Sequence, residues 1–133
     1  MKTHYAIALA VVSAIGGATA VQGLHAQGKS TVYAVVEIDV TNPEGFGKEF
    51  APLSQASNKT AGARVLAIGG VGGAGATPVT TLEGTLPKRV VIQAWDSLDQ
   101  LKSWFNSPAY QEARKVGNKY ATFRGFAVEG SAN

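Results

Sequence analysis

The sequence predicts an α+β domain: a four-stranded antiparallel sheet with helices packed on one face. Three observations lead there. First, the elements read in the order strand, helix, strand, strand, helix in two pieces, strand, and split β-α-β units in that order favour such a sheet. Second, Val32 to Val40 alternates strictly: Ala34, Val36, Ile38 and Val40 form one apolar face, and Tyr33, Val35, Glu37 and Asp39 form a mixed one. One face of such a strand packs on helices and the other meets something wetter. Third, Lys88 to Gly117 spells out a strand, a cap, a helix, a stop and a second helix in consecutive residues.

The chain has 133 residues, enough for one domain. Its first quarter differs from the rest. Lys2 and His4 precede an uncharged apolar run to Ile15, and small residues Gly16 to Ala20 follow. This is the pattern of a secretory signal peptide, expected over residues 1–26 with cleavage after Ala20 or Ala26. The domain then occupies residues 27–133, with a periplasmic or secreted destination and no membrane attachment after cleavage. The apolar run falls short of the ~20 residues of a membrane span. From Gln27 onward, eleven Lys and Arg stand against nine Asp and Glu, a net charge of +2. That balance gives no argument for nucleic acid or an anionic membrane surface.

The elements follow in order. Thr41-Asn42-Pro43 starts a helix with cap residues and then Pro. Phe46, Phe50 and Leu53 carry its apolar stripe. Pro52 lacks an N–H and collides with the carbonyl of Lys48, so a kink or break is expected there. Gly62 ends the helix. Arg64 to Ile68 is a short second strand. Arg89 to Trp95 is the third, and Asp96-Ser97 caps the helix after it, with Gln100 three residues beyond Ser97 as in a capping box. Asn106-Ser107-Pro108 stops that helix and starts the next. Thr122 to Glu129 is the last strand. The helices are expected to lie on Ala34, Val36, Ile38, Val90, Ile92 and Ala94, with Leu53, Leu101 and Phe105 among the covering residues. The opposite face then carries Tyr33, Val35, Glu37, Asp39, Arg89, Val91, Gln93 and Trp95. That face is too apolar for water, and a second subunit is its simplest cover, giving a homodimer.

The chemistry is bounded by what is missing. The chain has no Cys, and its two His, at 4 and 25, both precede the later cleavage point. Ser-His-Asp and Cys-His nucleophile systems are excluded on that reading, as are ordinary zinc, copper and His-ligated haem sites, so no metal or cofactor is expected. Gly70 to Gly75 fits G-x-G-x-x-G by letter. The mechanism of that motif needs a following helix, and Ala76 to Thr81 is β-prone and broken by Pro78, so a flexible hairpin loop is expected. Glu37 and Asp39 share a strand face and could do acid–base work, or could pair across strands with Arg89 or Arg124. Trp104 and Tyr110 could edge an apolar pocket between sheet and helices, or simply pack in the core with Phe105. Lys102, Arg114, Lys115 and Lys119 read as a solvated basic side. A cleft for a small molecule would draw on Tyr33, Glu37, Arg89, Gln93, Trp104 and Tyr110; no catalytic residue can be named.

Ala34-Val-Val-Glu-Ile-Asp-Val-Thr-Asn-Pro-Glu44, Leu82-Glu-Gly84, Pro87-Lys-Arg-Val-Val-Ile92, Asp96-Ser-Leu98, Trp104, Asn106-Ser-Pro-Ala-Tyr110 and Val128-Glu-Gly130 resemble the domain of unknown function 1330 (DUF1330) family across nearly the whole mature chain. The resemblance implies a ferredoxin-like βαββαβ sandwich of the dimeric α/β-barrel group, in which two sheets face each other. That wider group includes small monooxygenases and muconolactone isomerases. One departure is the glycine-rich loop 69–77, longer than the usual short turn. Two functions are therefore carried forward. One is a binding or structural module. The other is a cofactor-free, monooxygenase- or isomerase-like enzyme on a small aromatic or lactone-like substrate, an expectation that rests on fold analogy.

Overall fold

The structure is a computed structural model and describes residues 30–131. The expected signal peptide and both histidines lie outside the described residues. Strands β1 (Val32–Val40), β2 (Arg64–Gly70), β3 (Arg89–Trp95) and β4 (Ala121–Glu129) form one antiparallel sheet in the order β2-β3-β1-β4. The helical elements are α1 (Pro43–Gly45), a π-helical turn (Phe46–Phe50), α2 (Ala51–Ala61), α3 (Leu98–Phe105) and α4 (Pro108–Gly117). Among the described residues no helix is long and apolar enough to cross a membrane.

The expected caps are in place. Asn42 accepts from the Gly45 N–H, Ser97 from Gln100 and Ser107 from Tyr110, each satisfying an N–H that the first helical turn leaves open. Pro43 and Pro108 occupy first helical positions. Gly62 closes α2 at φ 81°, a left-handed conformation that costs glycine little. Gln100 reaches one residue further back than the expected capping box. Its Oε1 accepts from the Asp96 N–H, and its Nε2 donates to the Ala61 carbonyl, tying the end of α2 to α3.

Pro52 produces a different device from the expected kink. The chain winds one wide turn just before it, in which the Ala51 N–H reaches back five residues to the Phe46 carbonyl. Pro52 follows directly, where the π turn passes into α2 without a break in the helical backbone. The wide turn keeps Phe46 and Phe50 together on the sheet, with ring centroids 4.9 Å apart.

The face assignment of β1 holds and that of β3 reverses. Val32, Ala34 and Ile38 are buried under the helices, and the register sets Trp95, Gln93 and Arg89 directly beside them. Arg89, Val91, Gln93 and Trp95 therefore point to the helices, and Val90, Ile92 and Ala94 to the open face with Glu37, Val35 and Tyr33. The physical reason is size together with hydrogen-bond satisfaction. Trp95, the largest side chain of the strand, stacks on Trp104 at 5.0 Å, and its Nε1–H donates to Gln93 Oε1. Gln93 in turn donates to Asn58 Oδ1. Leu53 and Phe105, expected over the sheet, are half-exposed.

The reversal makes the open face more apolar than expected. Tyr33, Phe126 and Val128 are 38%, 48% and 58% exposed there, beside the half-buried Val35, Val90 and Ile92. Val79, from the long β2–β3 connection, covers only the far end, against Gly69 and Val90.

Candidate functional site

The space between sheet and helices holds two cavities, and Val36 of β1 lines both. The larger, about 380 Å³, lies between α3–α4 and β1–β4. Ala34, Val36, Gly125 and Ala127 form its sheet wall, with Leu98, Leu101, Trp104, Phe105 and Phe123 around them. Small residues on the sheet leave this space open: Gly125 faces Val36 across the strands and offers no side chain. Two cations line the pocket, Arg114 and the exposed Lys102; none of its lining residues is acidic. The Arg114 guanidinium lies over the Phe123 ring at 3.8 Å and donates to Tyr110 Oη at 3.3 Å, while its Nε–H has no acceptor. That is a cation held by ring faces rather than by a counter-ion.

The smaller cavity, about 60 Å³, lies between the π turn, α2 and strands β1, β2 and β3. Arg89, Gln93 and Asn58 are its buried polar walls. Arg89 donates through Nη1 to the Val71 carbonyl at 3.0 Å and lies 5.4 Å from the Phe46 ring centroid. Burial lowers its pKa from the ordinary arginine value. The glycine-rich loop lies beside this cavity, against Phe46 and the Arg89 guanidinium, and is no loose connector. Its ends are tied by Gly70 N–H to Thr77 O, Thr77 N–H to Ile68 O and Val71 N–H to Lys88 O. At Gly70, φ is 97° and a Cβ would fall 2.0 Å from the Lys88 carbonyl oxygen; at Gly72 it would meet Phe46 at 2.9 Å. Glycine here lets backbone close down on Phe46 and Arg89.

The six expected site residues do not form one cleft. Tyr33 and Glu37 are on the open face, and Glu37 accepts from Arg124 at 3.0 Å, the cross-strand pairing allowed for it. Asp39 pairs with Lys88 rather than with either arginine considered. Arg89 and Gln93 belong to the small cavity. Trp104 lines the large pocket, with its Nε1–H donated to Ser57 Oγ. Tyr110 is core, stacked on Trp104 at 4.0 Å and supporting Arg114 from below. Arg114 itself was missed. Its signal is the stripe Tyr110, Ala113, Arg114, Gly117, in which Arg114 falls on the inner side of α4.

Among known families, the profile described as Domain of unknown function (DUF1330) matches residues 31–131. The chain belongs to the DUF1330 family. No curated protein matches it. Among solved structures, a protein of unknown function from Rhodopseudomonas palustris aligns with this DUF1330 chain at TM-score 0.58 and 14% identity, over 87% of this chain and 95% of that one. A conserved protein of unknown function from Bacteroides thetaiotaomicron, described as a possible oxidoreductase, aligns at TM-score 0.52 and 16% identity, over 77% and 99%. SnoaB, a cofactor-independent oxygenase from Streptomyces nogalater, aligns at TM-score 0.50 and 10% identity, over 78% and 96%. At such identities the likeness is one of fold: the DUF1330 chain has the ferredoxin-like βαββαβ architecture, and the activity of these neighbours is not transferred by it.

Proposed function

We propose that this protein binds a small molecule with an apolar body and an anionic group in the large pocket between α3–α4 and β1–β4. The observation that carries the reading is the composition of the pocket. Its walls are apolar and aromatic, its charged members are two cations, and its size falls within the ~300–1,000 Å³ usual for small-molecule sites. An acid–base enzyme would need a proton acceptor beside its substrate. Lys102 and Arg114, the charged members of the lining, are both donors, so the enzyme reading gains nothing from this pocket. We further propose that the protein works as a homodimer through its open sheet face and is exported. The bare Tyr33, Phe126 and Val128 support the first, and the leader-like pattern of residues 1–26 supports the second.

The test is calorimetric titration with 2-naphthoate and with its uncharged isostere 2-naphthamide. Wild type is expected to bind the carboxylate at least about tenfold more tightly, the worth of one charged hydrogen bond. Gly125→Leu places a side chain in the pocket. A Cβ there meets Val36 at an ordinary 3.7 Å, so the fold is expected to stand while binding is lost. Equal affinity for both probes, or full binding by the Gly125 variant, would refute this site.

A further inference from the structure

The smaller cavity makes a separate demand. Arg89 is 5% exposed, has no carboxylate within ion-pair distance among the described residues, and its Nε–H is buried without an acceptor. A buried charge left in this condition is costly unless something of opposite sign meets it. None of the lining residues of the cavity is acidic, so the wall cannot supply that group. We propose that this cavity, between the π turn, α2 and strands β1, β2 and β3, is a second binding site, for a short monocarboxylate of formate or acetate size.

Three features choose this ligand. The space of about 60 Å³ equals roughly the share of two water molecules in the liquid, which suits a carboxylate group and little more. One guanidinium balances one negative charge, which disfavours phosphate or sulfate. Nη1 is committed to Val71 O and Nε is closed off by its surroundings, so Nη2 is the donor left for one oxygen of a singly charged carboxylate. Asn58, whose Oδ1 is turned to Gln93, presents its amide nitrogen as a neutral donor in the same wall.

The experiment reads the arginine Nε–H signals of the wild-type mature protein by NMR, assigned by through-bond transfer. Sodium formate, acetate and butyrate are titrated at neutral pH and constant ionic strength against sodium chloride. A saturable shift of the Arg89 Nε signal with formate or acetate, weaker with butyrate and absent with chloride, is the expected result. Formate or acetate should also raise Tm, and Arg89→Gln should need about tenfold more of either anion for the same rise. The wild-type signal decides the matter even if that variant does not fold. Arg64 Nε, on an exposed side chain paired with Asp96 and outside both cavities, is the internal reference, and Arg114 Nε reports the other pocket. An Arg89 signal that no anion moves, one that chloride moves equally, or a shift confined to Arg114 would each overturn the proposal.

Discussion

Changing Ile92 to Asp tests the reversed face of β3 and the assembly proposed from it. Ile92 sits opposite Val35 on β1 and Ala67 on β2, on the face away from the helices. In a two-fold dimer each substitution is present twice. An unpaired buried carboxylate costs roughly 3–5 kcal/mol, so two cost about 6–10 kcal/mol, against about 8 kcal/mol for a micromolar dimer. Ile92→Asp is therefore expected to be monomeric by light scattering at micromolar concentration while keeping its far-ultraviolet circular dichroism. Ile38→Ala, on the helix side of β1, is the contrast. Ile38 is buried in the phenylalanine cluster, and its truncation should cost about 2–5 kcal/mol at every protein concentration without dissociating the dimer. A monomeric wild type, or an Ile92→Asp protein as dimeric as wild type, would refute the reasoning.

Other expectations follow from single contacts. Gly117→Ala should destabilise by about 1–3 kcal/mol in urea unfolding despite the better helix propensity of alanine, because its Cβ would fall 2.7 Å from Phe50 Cδ2 and 3.0 Å from Phe123 Cζ. Removing residues 70–76 strips Arg89 of the Val71 carbonyl; the expected loss is about 1.5–3 kcal/mol by chemical unfolding, well above the few tenths that loop length alone would change. Ser107→Ala should lower stability by about 1 kcal/mol, read as a drop in Tm, through loss of the cap on α4. If residues 1–26 are the proposed leader, intact-mass measurement of periplasmic protein should show loss of 20 or 26 residues, and a soluble form retaining Met1 would count against it.

The architecture and the helix ends were legible because they depend on local chemistry. Asn42, Ser97, Ser107 and Gly62 each act within three or four residues of themselves, and β1 alternates without ambiguity. The faces of β3 were not legible, because Arg89–Trp95 is apolar at every position of one set and half apolar in the other. Counting apolar residues picks the wrong set. What decides is that Trp95 needs the room beside Trp104 and that Gln93 and Arg89 find partners inside, on Asn58 and Val71, which are distant in sequence. The site suffered in the same way. Arg89 and Gln93 were chosen for a cleft and do line one, but for the opposite face. Tyr33 and Glu37 were grouped with them by a period of two that held for β1 alone. The glycine-rich run looked like slack because its constraint comes from the Phe46 ring and the Lys88 carbonyl, which no local pattern reveals.

Both tryptophans of the chain, Trp95 and Trp104, lie in one stack with Tyr110, at the end of the core that includes Val32 and Ala34. The other half of the core is built around Phe46, Phe50 and Ile38 and contains no indole. Tryptophan emission, excited in the indole band, therefore views one half of this protein and is blind to the other. Coupled indole transitions at 5.0 Å should also give a strong near-ultraviolet signal that vanishes when that stack opens. If emission and backbone dichroism fall together on unfolding, the two halves melt as one unit; if emission falls first, the indole half opens on its own. A fluorescence-detected melting curve of this chain is a local measurement.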